Sequence, residues 1–343
     1  EPRGPGGNHV LEDRAKTGGN LIWLVIAACT MEEGQIRRPP ELTPSDTDED
    51  KDTGQRQFKP FTVAVVADLN SSYGSTTYTA DVHDAVSRIV ELSPDLVLSA
   101  GDMVAGQKLG LDYEGMWEGF HEAVTDPLEA AGIPLAVSPG NHDASAYSGY
   151  EEEREIYWSE WVARRPDLDF IDDSNYPFYY SFAFEDAIFI SIDATKVGPL
   201  DKAQMAWLEQ QISAEYPHRI LFSHVPLYPF SEGQETSIIG DEALEDLVVD
   251  KGVELWISGH HHAYYPGRRK ALRLLGMACL GTGSRPLIGE SENSPTSFVL
   301  MEVGNGTIGV EAYSGDDFTE LVLRDALPSS IGSGDTTIWR DDL

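Results

Sequence analysis

Apolar runs of strand length alternate with longer amphipathic segments from residue 61 onward. The run FTVAVVA at residues 61–67 contains no charged side chain and predicts a buried strand. Similar runs predict strands at residues 95–100, 133–138, 178–185, 187–194, 219–223, 254–258, 277–281, 297–303 and 307–313. Helical patterns occupy residues 82–92, 113–131, 151–165, 202–212 and 241–249.

Strands that alternate with helices are typical of an α/β fold with a partly parallel sheet. Two pairs of runs depart from this alternation. Residues 178–185 and 187–194 are separated by one acidic residue, and Asn305-Gly306 separates the last two runs. Both arrangements predict antiparallel hairpins, so the sequence indicates a mixed rather than an all-parallel sheet.

Five polar clusters follow predicted strands directly. They are DLN at 68–70, GD at 101–102, GNHD at 140–143, SH at 223–224 and GHHH at 259–262. Ligands of open α/β sheets bind beyond the carboxyl ends of the strands, so we expect the five clusters to share one site. Carboxylate, amide and imidazole ligands together suit divalent ions such as Mn, Fe, Co, Ni or Zn.

Each cluster alone also has an ordinary structural explanation. A GD pair after a strand is commonly a turn, and a single histidine such as His224 commonly makes structural hydrogen bonds. In the GHHH cluster, an extended backbone would point His260 and His262 to one side and His261 to the other. All five clusters together, each at a strand end, indicate a metal site.

In this order the clusters resemble the calcineurin-like metallophosphoesterase superfamily, whose motifs are D-x-H, G-D, G-N-H-D/E, H and G-H-x-H. The resemblance covers residues 61–313, where YYSFAFEDAIFISIDAT, QMAWLEQQI and RILFSHVPLY are also similar to the family. It implies two packed mixed β-sheets flanked by helices, a four-layer αββα sandwich. It also implies two divalent metal ions at the strand ends.

The roles of the family's ligands carry over to the matching positions. Asp102 would bridge the two metals, Asp68 and His262 would hold the first, and Asn141, His224 and His260 would hold the second. The resemblance then implies hydrolysis by a hydroxide that bridges the two metals.

Two further residues would act on the substrate side of that site. His142 is expected to protonate the leaving oxygen or to stabilise its charge. Asp143 is expected to orient His142, as a carboxylate fixes a histidine tautomer.

Asn70 departs from the first motif, because the family has histidine at this position. An amide oxygen binds hard ions better than borderline ones. Three interpretations stay open. Asn70 binds the first metal and favours Mn or Mg over Zn, a water takes its place, or the first site binds weakly and leaves a one-metal or inactive protein.

Purple acid phosphatases also lack that histidine, and they replace it with a tyrosine three residues after the aspartate of the second motif. The corresponding residue here is Ala105, so the resemblance to that branch fails. Tyr73 and Tyr78 lie nearby in SSYGSTTY, where ordinary loop packing is the alternative to metal ligation. We expect this loop to face the substrate, with Tyr73 as a substrate contact.

The first 60 residues predict a leader and a linker. The apolar stretch at residues 20–29 matches a signal-peptide core and is too short to span a bilayer. Its end, IAAC, resembles a bacterial lipobox with Cys29 as the lipidated residue. We therefore expect a leader at 1–29 and an extracytoplasmic lipoprotein tethered to a membrane through Cys29. The alternative is a chance apolar patch in a cytoplasmic protein.

Composition completes the predicted organisation. Residues 30–60 are acidic and rich in proline, which predicts a disordered linker. The metallophosphoesterase domain is expected at residues 61–317, and a loose C-terminal tail at residues 318–343.

Charge limits the partners of this chain. Its 24 basic and 58 acidic residues give a net charge of −34, which argues against a nucleic-acid-binding surface. Adaptation to high salt and ordinary acidic solubility are the two explanations of this charge. A small phosphorylated substrate would need a local positive centre, such as metal ions. Arg285 is a candidate to meet an anionic substrate, with an ion pair as the alternative.

The predicted function is a metal-dependent phosphoesterase that hydrolyses a phosphate monoester or diester. The ligand motifs do not distinguish the two esters, whereas the loops at 71–78, 103–118, 144–150 and 226–240 would. The alternative is a non-catalytic surface lipoprotein that binds a metal or phosphorylated ligand, with a degenerate first metal site at Asn70. A dinucleotide-binding protein ranks lower, because no G-x-G-x-x-G follows the first strand.

Overall fold

Two β-sheets form the framework of residues 58–343, the part of the chain that the computed structural model describes. The strands are β1 (Phe61–Val66), β2 (Leu96–Ser99), β3 (Leu135–Val137), β4 (Asp169–Asn175), β5 (Tyr179–Phe184), β6 (Ala187–Ser191), β7 (His218–Ser223), β8 (Leu255–Ser258), β9 (Tyr265–Arg269), β10 (Leu272–Gly276), β11 (Phe298–Gly304), β12 (Thr307–Ser314), β13 (Glu320–Leu321), β14 (Ser330–Ile331) and β15 (Ile338–Arg340). The leader, Cys29 and the linker up to residue 57 lie outside the described residues.

The helices lie between these strands. They are α1 (Ala80–Leu92), α2 (Tyr113–Phe120), α3 (Asp126–Ala130), α4 (Asn141–Ala144), α5 (Glu151–Ala163), α6 (Lys202–Ile212) and α7 (Glu242–Asp250). A π-helical segment, His121–Thr125, joins α2 to α3, so the helix predicted at 113–131 is continuous but widened at its centre. Within the described residues, no helix combines the length and the apolar composition needed to cross a membrane.

Parallel strands of both sheets direct their carboxyl ends to the candidate site. The smaller sheet has the order β13-β12-β11-β1-β2-β3, and β1, β2 and β3 are parallel. The larger sheet has the order β14-β15-β9-β10-β8-β7-β6-β5-β4, and β6, β7, β8 and β10 are parallel. The remaining neighbours are antiparallel.

Alternate residues of the larger sheet belong to two different hydrophobic layers. Phe189 and Phe222 pack with the smaller sheet, whereas Ile190 and Leu221 pack with α6 and α7. Both faces of these central strands are therefore buried, which explains why β6 to β8 appear in the sequence as continuous apolar runs. The predicted fold class of two packed mixed sheets flanked by helices is confirmed.

Three parts of the predicted strand order are wrong. The run at 277–281 is buried loop, and the strand of this region is β10, just before it. The sequence pattern also missed β9 and β4. Strand β4 is largely exposed at a sheet edge and carries four aspartates and asparagines, so it lacks the apolar pattern of a strand.

The segment after residue 317 is packed rather than loose, which corrects the predicted C-terminal tail. Strand β15 pairs with β9 and extends the larger sheet, and Ile331 and Ile338 are buried. Asp341 forms ion pairs with Arg273 and Arg324. A composition rich in Ser, Gly and Asp does not reveal these few anchoring residues.

Candidate metal centre

The donor residues follow the strands in sharp left-handed turns. Asp68, Asp102, His260 and His262 have φ angles of 53°, 55°, 66° and 52°, a region that non-glycine residues seldom adopt. The turns after β1 and β2 also pair with each other, because the N–H of Asp68 donates to Gly101 and that of Leu69 donates to Asp102. Extended backbone at the GHHH cluster, assumed from the sequence, is therefore wrong, although His260 and His262 still reach one site.

Two sets of residues face each other at this site. The carboxylate–amide side follows β1, β2 and β3 of the smaller sheet and contains Asp68, Asn70, Asp102 and Asn141. The imidazole side follows β7 and β8 of the larger sheet and contains His224, His260 and His262. The two sheets thus supply different ligand chemistry to one place.

The carboxylates are buried and held by backbone N–H groups. Asp68 is fully buried and accepts hydrogen bonds from the N–H of His260 at 3.0 and 3.1 Å. Asp102 accepts from the N–H of His142 at 2.9 Å. A side chain at Gly140 would place its Cβ 2.2 Å from the Asp102 Oδ1, so only glycine fits there.

Backbone carbonyls select which histidine nitrogen faces the site. The Nδ1 atoms of His224 and His262 lie 2.9 Å from the carbonyl oxygens of Ala100 and Gly283. Each Nδ1 therefore carries a proton, and Nε2 is directed at the aspartates, an arrangement that is common for metal-ligating histidines. His260 is reversed, with Nε2 on the hydroxyl of Ser237 at 2.8 Å and Nδ1 toward His224.

Donor atoms converge on the Nε2 of His224. Asn141 Oδ1 lies at 3.0 Å, Asp102 Oδ2 at 3.2 Å, His260 Nδ1 at 3.2 Å and Asp68 Oδ1 at 4.0 Å. A single proton on His224 cannot satisfy all of these lone pairs at once. A divalent cation can, because it accepts a lone pair from each ligand. The donor set, with Asp68, Asp102 and His224 atoms within 4.8 Å of one another, fits a metal ion.

The charges of the two sides stabilise each other. Burial opposes protonation of His224, but the charges of Asp102 and Asp68 outweigh it and raise its pKa to about 9. His262 is likewise buried, and the adjacent Asp68 raises its pKa to about 10. Burial opposes ionisation of Asp102, but His224 and His142 hold its pKa well below the ordinary value. A cation would compete with these protons for the same atoms.

Asn70 lies at this site as a buried amide of fixed orientation. Its Nδ2 donates to the carbonyl of Val104 at 3.0 Å. The amide oxygen accepts no hydrogen bond from the described residues and is left as the end of the side chain available to a cation. Of the two nearby tyrosines, Tyr78 instead donates its hydroxyl to the Met103 carbonyl at 2.6 Å.

His142 stands beside the donor cluster and faces the same cavity. Its Nδ1 lies 2.9 Å from the carbonyl of Gly106, and its Nε2 lies 3.9 Å from Asp102 Oδ2. The predicted role of Asp143 is wrong, because both of its oxygens accept backbone N–H groups, from Val104 at 2.9 Å and Gly140 at 2.8 Å. Burial, and then the charge of Asp102, raise the pKa of Asp143 to about 7.

A cavity of about 230 Å³ opens over the donor atoms. Tyr73 lines it and lies 5.2 Å from the ring of His142, measured between ring centroids. Arg285 also lines it and donates one guanidinium N–H to the carbonyl of His260 at 3.0 Å. The structure thus brings both predicted substrate contacts to a cavity that is also lined by four of the predicted ligands, Asn70, Asp102, His260 and His262.

Sequence reasoning missed the residues that hold these side chains. Gly106 and Gln107 contact His142 and Asn141, and Ser237 contacts His260. His261 was expected to point away, and it does, accepting the N–H of Phe230 and contacting the Ser237 carbonyl. No motif marks these positions, because their contacts join segments distant in the chain.

Comparisons with known proteins agree with this geometry. The calcineurin-like phosphoesterase family profile matches residues 61–264. Purple acid phosphatase 18 from Arabidopsis thaliana is 29% identical over 224 residues, or 63% of this chain and 47% of that protein. The serine/threonine-protein phosphatase CPPED1 from Rattus norvegicus is 28% identical over 165 residues, or 43% of this chain and 48% of that protein. The chain therefore spans about half the length of these curated relatives.

Purple acid phosphatases share the fold as well as part of the sequence. The structure of the enzyme PPD1 from yellow lupin, Lupinus luteus, superposes with a TM-score of 0.57 at 16% identity, covering 77% of this chain and 53% of that one. The inference that the resemblance to this branch fails is therefore wrong for the domain as a whole, although Ala105 lacks a side chain able to bind metal. The chain belongs to the calcineurin-like phosphoesterase family.

Proposed function

We propose that this protein is a metal-dependent phosphoesterase that hydrolyses a small phosphorylated substrate. The observation that carries this proposal is the convergence of carboxylate, amide and imidazole atoms on His224 Nε2 at the edge of both sheets. The names of the curated relatives, which are phosphatases, favour a monoester over a diester.

Two divalent cations of the Mn, Fe, Co, Ni or Zn class fit the ligand atoms. Asp68, Asn70 and His262 would hold the first, and Asn141, His224 and His260 would hold the second, with Asp102 shared between them. When bound, such cations act as Lewis acids toward phosphoryl oxygens and lower the pKa of water, which supplies a nucleophile at neutral pH.

The protein side chains supply orientation and a proton. Because the carbonyl of Gly106 holds Nδ1 of His142 at 2.9 Å, Nε2 is the nitrogen that can meet the leaving oxygen. A proton on that nitrogen would pass to the departing alcohol. Arg285 and Tyr73 line the same cavity. The guanidinium would attract a phosphate in spite of the net charge of −34.

Hydrolysis by the full chain tests this function. The protein is stripped with a chelator, resupplied with Mn²⁺, and assayed with a nitrophenyl monoester and a bis-nitrophenyl diester, with Asn141→Ala as the blank. We expect metal-dependent turnover that is absent from the blank and faster on the monoester. No turnover with Mn, Fe, Co, Ni or Zn would contradict the proposal, and a faster diester would contradict the substrate class.

A non-catalytic binding protein is the second candidate, because Asn70 replaces a family histidine. This candidate predicts that Asn70→His creates activity in a protein that has almost none. A modest change or a loss on the same substitution supports a working enzyme in which Asn70 binds the first metal.

We also propose, from the sequence alone, that Cys29 is lipidated and tethers the protein outside the cytoplasm. Metabolic labelling in bacterial cells with an alkyne fatty acid tests this. Label on the wild-type chain and none on Cys29→Ser is expected, whereas equal labelling of both would contradict lipidation at this residue.

A further inference from the structure

Gln107 touches the side chain of Asn141 from the side opposite the donor cluster. Its Oε1 accepts a hydrogen bond from Asn141 Nδ2 at 2.9 Å, while Asn141 Oδ1 faces His224 Nε2 at 3.0 Å. We propose that Gln107 is a positioning residue that fixes which end of the Asn141 amide faces the cation, an inference that rests on the proposed function.

The orientation of an asparagine amide matters for a cation. Only the oxygen has lone pairs to offer, and the NH₂ end carries two hydrogens that a cation repels. Without a partner on its outer side, the Asn141 amide can rotate by about 180° with little steric change. A fixed acceptor next to Nδ2 removes that alternative, because a rotated amide would place two oxygens against each other.

Gln107 can act as that acceptor because its own amide is oriented. Its Nε2 donates to Ser145 Oγ at 3.3 Å, and the same hydroxyl oxygen accepts the N–H of Tyr147 at 3.3 Å. In this arrangement Gln107 Nε2 donates to Ser145, and Asn141 Nδ2 donates to Gln107 Oε1. This chain of hydrogen bonds leaves Asn141 Oδ1 directed at His224 and the other predicted ligands.

The backbone at Gln107 is also held in place. Its φ of 63° lies in the left-handed region, which has a cost for a residue with a side chain. Glu153, a buried residue of α5, offsets that cost because its Oε1 accepts the N–H of Gln107 at 2.7 Å and the hydroxyl of Tyr113 at 2.7 Å. A residue that serves only as a turn would be better as glycine or asparagine, so the glutamine side chain has a separate role.

The same short loop orients a second residue of the site. The carbonyl of Gly106 accepts a hydrogen bond from the Nδ1–H of His142. In return, the N–H of Gly106 donates to the carbonyl of His142 at 3.0 Å. Two adjacent loop residues thus hold the two adjacent residues Asn141 and His142. Gln107 acts on the metal ligand and Gly106 on the proton donor, so their effects are separable by experiment.

Metal affinity, measured without any substrate, tests the proposal. Binding of Mn²⁺ to the chelator-stripped full chain is followed by calorimetry for wild-type, Gln107→Gly and Gln107→Glu. Glycine suits the left-handed φ and removes the acceptor, so we expect one of two sites to weaken by about 10–100-fold. Glutamate keeps an acceptor for Asn141 Nδ2, so its affinity should stay within about threefold of wild-type or increase.

Two controls separate positioning from general destabilisation. Gln211→Ala removes a buried glutamine whose Oε1 accepts from Ser181 at 2.8 Å, away from the site, and should leave both Mn²⁺ affinities unchanged. If Gln107→Gly unfolds, Gln107→Met keeps the side-chain length without a strong acceptor and should show the same weakened site. In a double-mutant cycle, Gln107→Gly should cost no further affinity once Asn141→Ala is present.

The outcomes distinguish this inference from the proposed function. Wild-type affinity at both sites in Gln107→Gly, or an equal loss in Gln107→Glu, would overturn the positioning role alone. Absence of binding of all five cations, Mn²⁺, Fe²⁺, Co²⁺, Ni²⁺ and Zn²⁺, by the wild-type protein would overturn the proposed function and this inference together.

Discussion

The two sides of the candidate centre are built on different principles. On the carboxylate–amide side, Asp68 and Asp102 are buried at strand ends and receive backbone N–H groups. On the imidazole side, His224 and His262 donate one ring nitrogen to a backbone carbonyl and direct the other at the aspartates. The aspartates are thus stabilised by the charge-assisted hydrogen bonds that they accept, and the histidines by the hydrogen bonds that they donate.

The mixture of oxygen and nitrogen donors bears on which cations the proposed centre would fit. Oxygen ligands alone would suit Mg or Ca, and nitrogen ligands favour Zn, Ni or Cu. A centre with ligands from both sides fits ions whose preference lies between oxygen and nitrogen ligands. Under the proposed assignment, Asn70 would make the first half of the site richer in oxygen than the second half, which has two imidazole ligands.

Loss of Asp102 should have the largest effect, because this residue touches both sides. Asp102→Asn removes the charge opposite His224 Nε2 while keeping the shape of the side chain. Loss of about 4 kcal/mol of transition-state stabilisation lowers kcat/KM by about 10³-fold, measured with the nitrophenyl monoester. Asp186→Asn is the matched control, because Asp186 is buried before β6, at the opposite end of the strands. Equal activity of the two variants would contradict the shared position of Asp102.

Gly106→Ala should affect His142 without affecting either set of ligands. An added Cβ would lie 2.4 Å from the His142 carbonyl oxygen, so the histidine must shift. Misplacing a catalytic group by about 1 Å can cost about 10²-fold in rate, so kcat should fall by that order while Mn²⁺ affinity stays unchanged. Ala105→Gly, at the adjacent position, serves as a control for the loop. A parallel loss of metal affinity would contradict the separate roles of the two loop residues, because it would show that Gly106 affects the ligand Asn141 as well as His142.

The sequence was informative wherever function depends on residue type at a strand end. The five polar clusters placed Asp68, Asp102, Asn141, His224, His260 and His262 at one edge of the two sheets, and the structure brings them together there. Strand ends could be predicted because β1 to β3 and β6 to β8 are buried and strongly apolar. At these strand ends the apolar pattern of the strand stops, and the polar side chains able to bind a metal begin at the next residues.

The contacts that hold these residues could not be predicted in the same way. Asp143 follows His142 in the chain but bonds to the backbone of Val104, while His142 bonds to Gly106. Gln107 and Asn141 are separated by 34 positions and meet only in three dimensions. Strand β4 and the packed C-terminal segment were missed for a related reason, since their few buried side chains stand among polar residues.

Asn70→His should have a smaller effect on activity and a clear effect on metal preference. Histidine would replace the oxygen of this amide by a nitrogen and make the first half of the site more like the imidazole side. We expect a change of at most about tenfold in kcat/KM with Mn²⁺, and a shift in relative activity toward Zn²⁺ or Co²⁺. Activity is compared across the metals for wild-type and variant at equal protein stability. A gain of about 10³-fold from near-zero activity would instead indicate a decayed first site.

A histidine outside the centre provides the last contrast, with an expected effect on stability and none on catalysis. Aspartates raise the pKa of His224, whereas burial, with the charge of Arg164 as the next cause, lowers the pKa of His121 from 6.5 to about 4. The His121 ring packs against Trp117 and Trp161. Between pH 6.5 and 4 the unfolded chain binds a proton at His121 that the folded protein does not.

The free energy of unfolding should therefore decrease as the pH falls through that window, by up to about 3 kcal/mol from this residue. His121→Gln removes the titrating ring, so urea unfolding at a series of pH values should show a shallower decrease between pH 6.5 and 4 than in wild-type. Hydrolysis at pH 7 should be unchanged, because His121 lies in the helical layer of the smaller sheet and touches no ligand of the centre. A pH dependence as steep as that of wild-type would show that His121 titrates alike in the folded and unfolded states, with Glu160 Oε2, 3.3 Å from its Nε2, offsetting the effect of burial.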